Sequence, residues 1–588
     1  MKVIKKSPLE AACVAYFSEQ KEGYYMKFKD FKYERPDFRT QKENFVVLLS
    51  QFDDAIDAEH QLEVFGRINK ERSYVITMQT LASLRHTIDT RDEFYDAENT
   101  YWDKTGPFYQ ELQSMLYDAV LESPFRAELE AKFGAQFFKL VECEKKAFSP
   151  DIVPDLQEEN RLVSEYNKLL ASAKIPFQGE EYTLSGLGKF AQDKDRSVRE
   201  AAQVARYGFF TEHEATLDDI YDQLVKVRAE IAKKLGLNNF IELGYLRMQR
   251  TDYNPADVAN FRQQVRDVIV PVASEVYEKQ RLRLGLSKLR YFDLQFEYEN
   301  GNAMPHGEPD WILEQGLKMY DELSPETKEF FNMMVETDLL DLVNKEGKQP
   351  GGYCTYINDY KVPFIFSNFN GTAADIDVLT HEVGHAFQVY LSRHLELPEL
   401  AFPTYDACEI HSMSMEFFCW PWMELFFKED VDKYKYSHLA GAITFIPYGV
   451  LVDDFQHFVY DNPTATKEER KAEWRRLEQQ YLPHKDYEGC DYLERGGWWH
   501  QQGHIFGSPF YYIDYTLAQI CALQFWKRMN SDDKTAWTDY LALCDVGGSK
   551  SFVELVKLAN LKSPFEDGCV ASVIADIKAW LDIPRDLK

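Results

Sequence analysis

Through the first two hundred residues, apolar side chains recur every three to four positions between charged ones, most clearly over 108–121 and 197–213. That spacing gathers the apolar residues on one helix face and predicts a helical amino-terminal part. The rhythm breaks over 175–187, IPFQGEEYTLSGL, where Pro176, Gly179 and Gly186 interrupt it. We therefore divide the chain near residue 190, into a helical amino-terminal domain, 1–190, and a second domain, 191–588. In the second, 217–234 and 255–283 return to amphipathic helical spacing. The stretch 353–369 differs: it is β-rich and aromatic and runs into Asn370-Gly371, which predicts a short strand or hairpin. Residues 467–480 are dense in both charge signs, the pattern of a solvated helix face with internal ion pairs.

Length and charge narrow the classes. At 588 residues the chain exceeds one compact core, and 45% hydrophobic with 15% aromatic residues supply material to fold most of it. The 67 basic against 97 acidic side chains leave a formal charge of −30, which repels phosphate backbones and anionic lipid headgroups and argues against nucleic acid or membrane partners. No run of about 18 apolar residues is present to span a bilayer. The lysines at 2, 5 and 6 precede an apolar stretch cut by Pro8 and Glu10, too short for a secretion signal. Nine scattered cysteines without a C-x-x-C pair suit a reducing compartment, so the expectation is a cytoplasmic protein. Cys354 and Cys408 lie near the chemistry described next, and the simplest meaning of each is a small buried apolar residue.

The chemistry is concentrated in LTHEVGHAF. His381 and His385, four apart, project from one face of a helix about one turn apart and can share a metal. Glu382 lies between them, where its carboxylate reaches a water on that metal, the arrangement a general base needs. Thr372 and Asp375 form a capping-box-like start to this helix, and the apolar spacing continues to Leu391. A catalytic zinc needs a third protein ligand and an open position. No third histidine follows at a suitable spacing. Glu396 and Glu399 fall in the proline-broken LELPELAFP, whereas Glu409 opens the helical segment DACEIHSMSMEFF. Glu409 is the expected ligand, its competing role being a capping box with Asp406. Glu416, seven positions on, fits either a carboxylate that orients a ligand imidazole or a structural one. His411 is expected to be packed rather than ligating.

A second cluster, RGGWWHQQGHIFGSPFYYIDYTLAQ, combines glycines, His500, His504 and three tyrosines, groups able to stabilise an oxyanion. On a helix Tyr512 and Tyr515 share a face and Tyr511 points about 100° away from Tyr512, so Tyr512 with Tyr515 is the favoured pair.

At these residues the chain resembles the thimet oligopeptidase and oligoendopeptidase F family of zinc peptidases, closest to the oligoendopeptidase F branch. The likeness runs in family order through PFIFSNFNGTAADIDVLTHEVGHAF, EIHSMSMEFF and HIFGSPFYYIDY, and upstream through IYDQLVKVRAEIAKKLGLNNFIELGY. It implies a mainly α, two-lobed metallopeptidase with a deep central channel and a small β-rich element beside the zinc-site helix. It also implies one zinc on His381, His385 and Glu409, Glu382 as base, and His504 with a downstream tyrosine as transition-state stabilisers. The spacing leaves open which of Tyr511, Tyr512 and Tyr515 acts. The expected activity is cleavage of internal bonds in short unfolded peptides. The alternatives are a catalytically silent peptide-binding scaffold and a carboxyl-end dipeptidase of the same chemistry. The sequence is silent on oligomeric state.

Overall fold

A computed structural model describes residues 26–587 apart from Ser185, Glu346, Pro350, Asp532 and Asp586. As expected, it is mainly α-helical, with two small sheets among the described residues. Eight helices carry the argument: α1 (Ala58–Ile88), α2 (Glu93–Glu122), α3 (Arg196–Lys234), α4 (Ala374–Leu391), α5 (Tyr405–Phe418), α6 (Val431–Asp461), α7 (Lys467–Tyr481) and α8 (Tyr512–Asn530).

The amino-terminal helices pack around a cluster that includes Phe52, Phe65, Leu116 and Phe137. The segment 108–121 lies inside α2, which Asp92 starts by accepting from the backbone N–H groups of Phe94 and Tyr95. The stretches 197–213 and 217–234, read separately from sequence, form the single helix α3. The residues between them include no Gly or Pro, so nothing opposes propagation once Asp195 has capped the start. Over 255–283 the path stays helical but widens into a π turn at Val265–Ile269. Pro271 follows it; lacking an N–H, it cannot continue the regular ladder, and the wider turn absorbs the misfit.

The break at 175–187 contains a tight hairpin, β1 (Ile175–Phe177) with β2 (Glu180–Tyr182), turned by Gln178 and Gly179, both at positive φ. The predicted β-rich stretch is an antiparallel pair, β4 (Tyr353–Ile357) and β5 (Val362–Phe369). A strand without a clear sequence signal, β3 (Leu340–Val343), pairs in parallel with β5, giving the order β3-β5-β4 with β4 at the edge.

The doubly charged segment 467–480 is a helix, α7, but not a freely solvated one. Beside internal pairs such as Arg475 with Glu478, Lys471 reaches Glu214 and Asp218 of α3, and Arg470 reaches Asp222. Trp474 and Leu477 are buried beneath it. Its basic residues therefore match the acidic face of α3, a partner invisible to a local charge pattern.

Helices α4, α5 and α8 pack tightly together in the core. Gly384 makes the first contact possible: a Cβ there would lie 2.6 Å from the Cα of Ser412 on α5. Gly449 does the same for α6 against α8, where a Cβ would meet Thr516 at 2.3 Å. The eight described cysteines are all unpaired, and Cys354 and Cys408 are partly buried beside the site.

Candidate active site

Strand β5 delivers the chain to α4 through Asp375, whose carboxylate accepts from the backbone N–H groups of Asn370 and Gly371 at 2.9 and 2.7 Å. Thr372 does not cap the helix as anticipated; its hydroxyl turns to Asn370, and the helix begins at Ala374. On α4, His381 and His385 present their rings 5.0 Å apart. The close approach at Gly384 brings Glu409 of α5 against both, with Oε2 3.2 Å from Nε2 of His381 and 3.5 Å from Nε2 of His385. Ligand atoms of these three residues all fall within 4.8 Å of one another.

The surroundings orient the donors. Nδ1 of His381 donates to Oε1 of Glu416 at 2.7 Å, which turns its Nε2 toward Glu409. The other oxygen of Glu416 accepts from Nε2 of His438 at 2.8 Å, and Trp420 donates to Nδ1 of the same ring at 3.1 Å. Burial opposes ionisation of Glu409, but His385 and His381 outweigh it and hold the carboxyl well below its usual range. Burial likewise works against a charged His381, and Glu409 and Glu416 reverse it, lifting the imidazole well above its usual value. Without a cation, each side of the cluster stabilises charge on the other.

Glu382 is buried on the same helix, and among the described residues its Oε2 has no hydrogen-bond partner. Burial raises its pKa against the lowering effect of the two histidines. The edge strand β4 passes close by: a Cβ on Gly352 would lie 3.6 Å from Oε1 of Glu382.

The second cluster comes to the same place. His504 lies 5.1 Å from the ring of Tyr512, 5.6 Å from Tyr511 and 5.9 Å from Tyr515, measured between centroids. The rings of Tyr512 and Tyr515 lie 5.6 Å apart, and the structure adds a further tyrosine contact. Tyr511, immediately before α8, donates from its hydroxyl to Oε1 of Glu409 at 3.0 Å, and its ring lies 4.9 Å from that of Tyr515. Residues 511 and 515 are four apart and share a side of the helix start, whereas Tyr512 turns toward Phe445 and Tyr448. His504 is fixed from behind: Tyr448 donates to Oε1 of Gln502 at 2.6 Å, and Nε2 of Gln502 donates to Nδ1 of His504 at 2.8 Å. The ring therefore carries its proton on Nε2, and burial lowers its pKa.

The remaining candidates fall elsewhere. Glu399 pairs with Arg72 and accepts from Tyr117, and Glu396 pairs with Lys132. Asp406 receives the hydroxyl of Thr404, so the capping box with Glu409 does not form. His411 is fully buried, with Nδ1 donating to the Ala407 carbonyl. His500 is locked between Asp218 and Tyr492. Sequence reasoning passed over His438 and Tyr448, which belong to no motif and meet the site only through folding, and Gln502, which lies within the second cluster two residues before His504.

A helical chain that converges two imidazoles, a carboxylate and a buried free glutamate defines a metallo-oligopeptidase. The chain belongs to peptidase family M3, whose profile matches residues 189–573, with the peptidase M3 N-terminal domain matched over 28–148. It is 24% identical over 409 residues to the oligoendopeptidase F homolog of Borreliella burgdorferi, spanning 66% of that relative's length and 66% of its own. It superposes on PZ peptidase A, solved with an inhibitor, at a TM-score of 0.92 and 58% identity, covering 96% of this chain and 100% of that one. Oligoendopeptidase-F from Enterococcus faecium, at 15% identity and a TM-score of 0.61 over 92% of this chain and 98% of that one, shares the fold.

Proposed function

We propose that this protein is a zinc-dependent oligoendopeptidase that hydrolyses internal bonds of short, unfolded peptides. The observation that carries the proposal is the convergence of His381, His385 and Glu409 beside Glu382, whose buried Oε2 lacks a partner among the described residues. Two imidazoles and one carboxylate are the protein donor set of a catalytic zinc site, so the residues fit that ion. When bound there, zinc would supply a Lewis acid for the scissile carbonyl and lower the pKa of water.

Glu382 takes a proton from the attacking water as its oxygen bonds to the carbonyl carbon, then delivers that proton to the amine nitrogen as the C–N bond breaks. His504, with its proton on Nε2, and the Tyr515 hydroxyl donate to the carbonyl oxygen as negative charge develops. Tyr511 holds Glu409 in place and packs against Tyr515; Tyr512 forms part of the aromatic wall. An extended peptide pairs along the free edge of β4, where main-chain hydrogen bonds bind many sequences. In this reading residues 1–190 and 191–588 form the two lobes that flank the substrate channel. The absence among the described residues of any helix able to cross a membrane, together with unpaired cysteines, supports a cytoplasmic location.

The test combines metal analysis, a quenched fluorescent peptide and mass mapping of products. Glu382→Gln should retain about one zinc while kcat falls by roughly 10²- to 10⁴-fold. Tyr515→Phe and His504→Ala should each lower kcat by roughly a hundred- to a thousand-fold with zinc retained. Substantial turnover by Glu382→Gln would overturn the assignment, and release of dipeptides alone from the carboxyl end would replace it with the exopeptidase reading.

A further inference from the structure

Beyond the catalytic cluster, a row of partly exposed aromatic rings leads to a lysine without an acidic partner. Tyr512 lies 5.5 Å from Tyr448, which lies 4.9 Å from Trp498, and Nζ of Lys485 is seated 3.8 Å from the centroid of the Trp498 ring. Among the described residues Lys485 makes no ion pair or side-chain hydrogen bond. The carboxylate whose charge acts on it, Glu478, is occupied by Arg475 at 2.9 Å and by the Tyr487 hydroxyl. In a chain with 97 acidic against 67 basic side chains, a base left over from pairing is notable. The adjoining His484 stacks its ring on Tyr277 with centroids 3.7 Å apart, and among the described residues its buried Nε2 has no hydrogen-bond partner. Lys485 thus stands, without an acidic partner among the described residues, at one end of an aromatic wall that begins at His504.

We propose that Lys485 receives a carboxylate of the bound peptide, so that the enzyme selects substrates by an anionic group at a set distance from the cleaved bond. This rests on the peptidase reading above. The Trp498 face attracts the ammonium by its quadrupole and holds it in place, and an arriving carboxylate supplies the charge-assisted hydrogen bond that the protein withholds. Burial, outweighing Glu478, lowers the Lys485 pKa to about 8, a cost an anion would relieve. The ring-to-ring steps from His504 limit the separation to about six residues of extended chain at roughly 3.3 Å each. The carboxylate is supplied either by the carboxyl terminus of a short peptide or by an Asp or Glu side chain on that side of the cut.

Matched peptides test this: one with a free carboxyl terminus, its amide, and versions carrying Glu or Gln within six residues of the cut. For wild type, kcat/KM should favour the carboxylate form of one of these pairs. In Lys485→Met that preference should fall by about tenfold through KM, the worth of one charge-assisted hydrogen bond, and in Lys485→Arg it should persist. Loss with the acid and amide pair assigns the terminal carboxylate, and loss with the Glu and Gln pair assigns the side chain. An unchanged preference in Lys485→Met, or no preference in wild type, would overturn the proposal. Equilibrium binding of the same peptides to Glu382→Gln reads the discrimination without turnover, so a failure of the peptidase reading and a failure of this site remain distinguishable.

Discussion

Glu416 grips His381: one carboxylate oxygen takes the Nδ1 proton at 2.7 Å while the other takes the Nε2 proton of His438 at 2.8 Å. The pair fixes both the tautomer and the ring plane of a proposed metal ligand. Glu416→Ala should therefore weaken metal affinity by roughly 10- to 100-fold without removing any ligand. Chelator competition at fixed pH measures it, and an unchanged affinity would reduce Glu416 to a packing role. His438→Phe, which leaves the His381 contact intact, should have a smaller effect.

Gln502 touches neither the histidine pair nor Glu409, yet it determines which nitrogen of His504 carries the proton. Gln502→Leu should lower kcat by about tenfold with little change in KM, because the loss falls on the transition state. Nitrogen chemical shifts of the His504 ring should show the tautomers mixing. Tyr448→Phe should reproduce the effect more weakly, since it removes only the hydroxyl that orients the Gln502 amide.

Gly384 sits between the histidines with the α5 backbone against it. In Gly384→Ala the added methyl meets Ser412 Cα and the His411 carbonyl at 2.6 and 2.7 Å, so the helices must separate. A loss of about 1–3 kcal/mol in unfolding free energy is expected, together with lower metal affinity as Glu409 withdraws. Denaturant unfolding and metal titration check the two parts, and normal values for both would show that the contact tolerates a side chain.

His411 supplies a pH dependence of stability. Burial, outweighing the hydrogen bond to the Leu543 carbonyl, lowers its pKa to about 4, against an ordinary value near 6.5 in the unfolded chain. Because the folded value is the lower, the unfolded state binds more protons between these limits. The contribution is fully present above about pH 6.5 and is lost as pH falls toward 4, on the order of 3 kcal/mol in all. The unfolding midpoint should decline through that window, and His411→Asn should flatten the decline while lowering stability at neutral pH. An unaltered slope in the variant would place the acid sensitivity in other groups.

How much of this was legible beforehand depended on the range of the interactions involved. Helical spacing, the β-rich stretch at 353–369, and His381, Glu382 and His385 could all be read because a helix repeats every 3.6 residues and four-residue spacing sets side chains on one face. Glu409 could be singled out because it alone opened a helix after a proline-broken segment. Within the tyrosine cluster the same periodicity gave only part of the arrangement: Tyr515 contacts both Tyr512, three residues back, and Tyr511, four back.

What only the tertiary structure decided involves partners far apart in the chain. His438 meets Glu416, α7 meets the acidic face of α3, Tyr448 reaches His504 through Gln502, and Lys485 comes to rest on Trp498. None of these pairs has a characteristic spacing, because each is set by where helices cross. The crossings are set in turn by packing, above all by the missing side chains of Gly384 and Gly449. The sequence alone could name the candidate metal ligands of α4, because a single helix places them. It could not say what holds them in position, because that depends on how closely separate helices approach.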